Sequence, residues 1–63
     1  MDAEGEIIFE FVRLGGAVKV NAVDPATGAE ATIIGDPHAG AATLKRLARQ
    51  KLAYVLAKGR AGR

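Results

Sequence analysis

Residues 6–14, EIIFEFVRL, alternate like a strand with one buried face: Ile7, Phe9 and Phe11 fall on one side, and Ile8, Glu10, Val12 and Leu14 on the other. Gly15-Gly16 follows, and a glycine pair between two such runs marks a tight hairpin, whose turn needs positive φ. A second strand, about 17–24, follows and opens with AVKVNAV at 17–23. A two-residue turn pairs Arg13 with Val18, Phe11 with Val20 and Phe9 with Ala22, all on one face that is apolar except for Arg13. In DPATG, Asp24 can accept from backbone N–H groups two residues on, Pro25 presets φ, and Gly28 supplies a left-handed residue. A four-residue loop over 25–28 pairs Ala22 with Ala31 and Val20 with Ile33, so a third strand at 29–34 adds its apolar residues to the same face. The oxygens of Asp24, Thr27 and Glu30 also invite a binding-loop reading. The fit of loop length to apolar register favours a turn, and a calcium loop needs more oxygen ligands at alternating positions.

The period changes from two to 3.6 after GDPHAG, a loop in which either Asp36-Pro37 or Gly40-Ala41 starts a helix. Over 41–58, Leu44, Leu47, Ala48, Leu52, Val55 and Leu56 form one stripe, with Arg46, Arg49, Gln50, Ala53 and Ala57 opposite. Gly59 is the expected left-handed cap and 59–63 a mobile tail. The chain thus reads as a single small α+β domain over 1–63. It is a three-stranded antiparallel β-meander with one C-terminal α-helix packed on one face, in the order β-β-β-α. The expected core is Ile7, Phe9, Phe11, Val18, Val20, Ala22, Ala31, Ile33, Leu44, Leu47, Ala48, Leu52 and Val55. Lys51 falls inside the helix stripe, where its methylenes can pack while the ammonium reaches water or a sheet carboxylate.

One helix covers one face of a sheet. The other face carries Ile8, Val12, Leu14, Val23 and Ile34 among Glu10, Lys19, Asn21, Glu30 and Thr32. That much apolar surface is a candidate interaction face, for an unknown protein partner or for a homodimer that covers the face or pairs the free edge strands. If a homodimer covers this face, Val12→Asp abolishes self-association and leaves the core intact.

Charge adds a second candidate. Residues 1–34 hold six acids and two bases, a net −4, and residues 35–63 hold one acid and seven bases, a net +6. Mutual attraction of the two halves is one account of this division. Anion or nucleic-acid contacts through Lys45, Arg46, Arg49, Lys58, Arg60 and Arg63 are the other, with RNA the expected nucleic acid and affinity falling steeply with salt. The β-β-β-α order with bases on its last helix resembles the C-terminal part of a double-stranded RNA-binding domain, with Lys45, Arg46 and Arg49 the nearest equivalents of its phosphate contacts. The chain departs from that pattern: the domain's first helix has no counterpart, Gly40-Ala41-Ala42 stand where paired lysines open its last helix, and the acidic sheet repels phosphate. Phe9 and Phe11 are assigned to the core, so no stacking platform remains for single strands.

Enzyme chemistry finds little to work with. The chain has no Ser, Cys or Trp, so His38 beside Asp36 has no nucleophile to activate and no companions for a zinc site. The glycines lack the GK[ST] of a phosphate loop. No enzyme activity, cofactor or metal is expected. No apolar run approaches the ~20 residues of a membrane span, and the acidic start lacks the form of a secretory signal. The expectation is a cytoplasmic protein with no membrane partner.

Two blocks, FEFVRLGGAVKVNAVDPATGAEATIIG and LKRLARQKLAYVLAKG, together resemble a family of short, uncharacterised bacterial proteins of about this length. Some sequences of this kind carry the name serine hydroxymethyltransferase. That enzyme is several times longer and binds pyridoxal phosphate through a large two-domain fold, and none of its machinery fits here. The resemblance implies a bacterial cytosolic domain and assigns no catalytic residues.

Overall fold

The computed structural model describes residues 6–61, with side chains through 59. Strands β1 (Ile8–Leu14), β2 (Ala17–Val23) and β3 (Glu30–Gly35) form an antiparallel sheet in that spatial order. A short 3-10 turn, Pro37–Ala39, leads to one helix, α1 (Ala41–Ala61). The β-β-β-α meander expected from the periodicity is the observed fold.

Both hairpins have the registers that the apolar pattern dictates. Phe9 pairs with Ala22, Phe11 with Val20 and Arg13 with Val18, without a bulge. The turn between them has positive φ at Gly15 (58°) and not at Gly16, the pattern of a type II′ turn. Across the second hairpin, Ala22 pairs with Ala31 and Val20 with Ile33. Its loop is built by Asp24. The Asp24 N–H donates to the Ala29 carbonyl at 2.9 Å, the Ala26 N–H donates to Asp24 Oδ1 at 2.9 Å, and the Gly28 N–H donates to the Asp24 carbonyl at 2.7 Å. Gly28 closes the loop at φ 79°. Thr27 Oγ1 accepts from the Ala29 N–H, and Glu30 accepts from Asn21 Nδ2. The three candidate ligand oxygens are therefore engaged separately, and the turn reading accounts for them. Asp24 is buried, so Asp24→Ala leaves the Ala26 N–H without its acceptor. The expected loss is about 1–2 kcal/mol, read from the urea midpoint, with Asp24→Asn retaining most of the stability.

Asp36-Pro37 and Gly40 each start a helix. Asp36 Oδ1 accepts from the His38 N–H at 2.9 Å and caps the 3-10 turn, whose first residue is Pro37. Gly40 then takes φ 89°, and its carbonyl accepts from the Leu44 N–H at the start of α1. The far end of α1 corrects the expected stop. Gly59 is helical and not left-handed, and the helix runs on to Ala61. A helical glycine costs about 1 kcal/mol relative to alanine, too little by itself to end a helix. The tail expected at 59–63 is thus helical to 61, and 62–63 lie outside the described residues.

The core is Val18, Val20, Ala22, Ala31, Leu44, Ala48 and Leu52, with Ile7, Phe9, Ile33, Val55 and Leu56 packed half-buried against it. Two expected core residues are exposed: Phe11 at 39% and Leu47 at 40%. The reason is where the helix lies. It packs on β3 and β2, and a helix about 10 Å across covers roughly two strands spaced about 4.8 Å apart. Phe11 on β1 is beyond its reach. Leu47 lies on the flank of α1 shared with Lys51, whose Nζ reaches past the outer side of β3 to the Thr32 carbonyl at 2.8 Å. Lys51 is itself exposed, and its ammonium meets a backbone carbonyl rather than a sheet carboxylate.

Candidate interaction surface

β1 is the most apolar strand and the least covered. Five of its seven residues are large and apolar (Ile8, Phe9, Phe11, Val12, Leu14), yet only Phe9 is half-buried and the rest are exposed. β2 alternates half-buried and buried along its whole length. The difference follows from order: β2 is central, and α1 sits on β2 and β3.

The residues of the expected interaction face do share one side of the sheet, and polar positions interrupt them. Ile8 (57% exposed), Val12, Leu14, Val23 and Ile34 (62%) share the side of the sheet away from α1. Ile8 pairs directly with half-buried Val23, whereas Lys19 separates Val12 from Ile34. A polar row of Glu10, Asn21 and Thr32 crosses between the two groups. Within that row Thr32 Oγ1 donates to Asn21 Oδ1 at 2.8 Å, so Asn21 is committed to holding β2 and β3 together.

On the helix side, the space between β1 and α1 is underfilled. A cleft of about 350 Å³ is lined by Phe11, Arg13, Val18, Pro37, Ala41 and Leu44. A second, of about 170 Å³, is lined by Ile7, Asp24, Arg49, Leu52, Ala53 and Leu56. Between them Lys45 Nζ and the Arg49 guanidinium lie over the Phe9 ring, 5.6 and 5.4 Å from its centre. Each such contact is worth about 0.5–1 kcal/mol at an exposed site. Two cations, rather than helix side chains of the apolar stripe, therefore roof the middle of β1. Arg13 turns back to its own hairpin, its Nε donating to the Gly15 carbonyl at 2.9 Å.

The basic residues of α1 do not form one face. Lys45 and Arg49 meet over Phe9, and Arg46 stands about 60° from Arg49 around the helix axis. Lys58, about 180° from Arg49, lies 5.8 Å from the Tyr54 ring centre. The Arg60 side chain and all of Arg63 lie outside the described residues. Among the described residues no Lys or Arg side chain lies within pairing distance of a carboxylate, and the one imidazole–carboxylate contact is His38 Nδ1 with Asp36 Oδ1 at 3.1 Å, with both side chains largely exposed. Attraction between the acidic sheet and the basic helix thus takes no form of a direct pair among them.

These features define a small two-layer protein whose helix covers two strands of three and leaves an apolar edge strand open. The chain belongs to the family described as Domain of unknown function (DUF6898), which it matches over residues 4–59. No curated protein and no solved structure matches it. Among the described residues no helix is long and apolar enough to cross a membrane.

Proposed function

We propose that this protein is a non-enzymatic interaction module of the bacterial cytoplasm, with β1 as its binding strand. The observation that carries the reading is β1 itself: a bulge-free edge strand of mostly large apolar residues, all exposed but Phe9, which only two cations of the helix roof. A strand of that kind is a template for pairing unless a fold blunts it with charged side chains, above all lysine, with proline or with a bulge; the charges of β1 are Glu10 and Arg13, and Arg13 is turned back onto its own hairpin. The non-enzymatic part draws on the residue inventory, which lacks Ser and Cys and whose single histidine side chain is 95% exposed. The cytoplasmic assignment draws on the resemblance to short bacterial proteins.

Photo-crosslinking tests the reading. Benzoylphenylalanine placed at Phe11 is expected to give protein adducts in cells, and the same group at Arg46, on the solvated side of α1, none. Absence of adducts from position 11, or adducts confined to position 46, would overturn it. A second reading, RNA binding, has one observation in its favour: Lys45, Arg46, Arg49 and Lys58 have no carboxylate within pairing distance among the described residues. It requires amide shifts confined to these residues on titration with an RNA duplex, weakening as salt rises.

A further inference from the structure

We infer that the partner of β1 is a second copy of this chain, joined edge to edge in an antiparallel register centred on Phe11. The inference rests on the interaction reading above and names its partner.

The sheet has two edges, and they are treated differently. On β3, the Asp24 N–H to Ala29 carbonyl bond fixes which pairs exchange hydrogen bonds, and alternation from there turns the Thr32 carbonyl outward. Lys51 Nζ occupies that carbonyl at 2.8 Å. Lys51 belongs to α1, and by filling an outward carbonyl of β3 it has the effect of the lysines that edge strands carry against further pairing. β1 carries no lysine, proline or bulge.

The hydrogen-bonding parity of β1 permits self-pairing. A two-residue turn closes on a hydrogen-bonded pair, here Leu14 with Ala17, so the backbone groups of Phe9, Phe11 and Arg13 point away from β2. An antiparallel copy must set these residues opposite one another. With Phe11 facing the partner's Phe11, Phe9 faces the partner's Arg13, and all seven residues of the strand are paired. Charge selects the same register. A shift of two residues one way puts Glu10 directly opposite the partner's Glu10, a like-charge pair, and a shift the other way sets Phe9 against the turn glycine. In the centred register Glu10 faces the partner's Val12, and the exposed Ile8 faces the partner's Leu14.

The faces agree with the edge. On the helix side the partner's Phe9 arrives beside Arg13, at the mouth of the larger cleft, and the two Phe11 rings meet on the two-fold axis. The contact uses the same strand on both copies and so closes at two. The resulting six-stranded sheet ends on two β3 edges, each guarded by Lys51, which prevents growth into a filament.

The chain has no cysteine, so disulfide trapping reads the register without background. Glu10→Cys and Val12→Cys both lie on the exposed face of β1, and their pair is a non-hydrogen-bonded one with Cα atoms about 4.5 Å apart, within disulfide reach. An equimolar mixture is expected to oxidise to the heterodimer several-fold faster than either variant alone forms its homodimer. On the unmodified chain, exchange of the Phe9, Phe11 and Arg13 amides is expected to slow as protein concentration rises, while the Thr32 and Ile34 amides on the β3 edge keep their rates. Homodimers of Glu10→Cys or Val12→Cys forming as fast as the mixed pair would overturn the register. Concentration-independent exchange at Phe11 would overturn the second copy. If position 11 then still photo-crosslinks to other proteins, the interaction reading stands without the dimer; if it crosslinks to nothing, both fall.

Discussion

Leu52→Ala is expected to lower the unfolding free energy by about 2–5 kcal/mol, toward the upper end of that range. Leu52 is 1% exposed and, with Val20, is one of the two largest fully buried side chains. The core around it holds Ala22, Ala31 and Ala48. Alanine has no rotamer with which to lean into a void, so the space left by the isobutyl group stays open and its lining loses contacts outright. A chain of this length has a total stability of about 3–9 kcal/mol, so the variant is expected to be largely unfolded or close to it. Urea denaturation followed by circular dichroism measures the loss. Leu47→Ala is the comparison. The same stripe on the helix predicts both leucines to be buried, but Leu47 is 40% exposed, and its truncation is expected to cost about 1 kcal/mol or less. Equal losses at the two positions would mean that α1 sits symmetrically over the sheet and that β1 is covered after all.

That contrast marks where the sequence stops specifying the structure. Pairing partners were readable because strand register is a local matter. Side chains alternate with period two, two turns of fixed length follow one another, and a slip of one residue would bury Lys19 and Asn21 in place of Val18 and Val20. Asp24 and Gly28 were readable because turn chemistry acts over a few residues. The lateral position of the helix over the sheet is not local. Periodicity says which side of α1 is apolar but not which two strands it covers, so it places Phe11 and Leu47 in the core although both lie at its margins. The same gap hid the candidate surface. The five residues of the far face were identified from alternation, but the bare edge of β1 and the clefts beside it appear only once α1 is seen to sit on β2 and β3. Lys51 gave a partial signal, a charge inside an apolar stripe. Its true partner, the Thr32 carbonyl, depends on a strand edge that composition does not show.

Gly35→Val is expected to cost about 3 kcal/mol, the upper end of the usual range for overpacking a core, and to disturb the helix docking rather than the strand. Gly35 ends β3 opposite Val18 and has an ordinary extended backbone, so nothing in its own conformation demands glycine. Its neighbour does. A Cβ built at Gly35 collides with Leu44 Cδ2. Leu44 is 3% exposed and one turn from the start of α1, and its backbone N–H is held by the Gly40 carbonyl. That bond fixes its backbone, and at 3% exposure the side chain has little room to turn aside, so relief of the clash falls on the first turn of the helix. The absence of a side chain at Gly35 thus lets the N-terminal end of α1 settle onto the end of β3, and a short connection through Pro37–Ala39 then keeps the helix on that side of the sheet. A bulky residue at 35 pushes the helix start outward and widens the cleft beside Phe11. Two readouts separate this from a generic loss of stability. The urea midpoint falls, and in the remaining folded protein the amide shifts that change are those of α1's first two turns and of Val18, with the β1–β2 hairpin unmoved. Retention of wild-type stability in Gly35→Val would show that Leu44 does not pack against β3, and with it would go the account of why β1 is left bare.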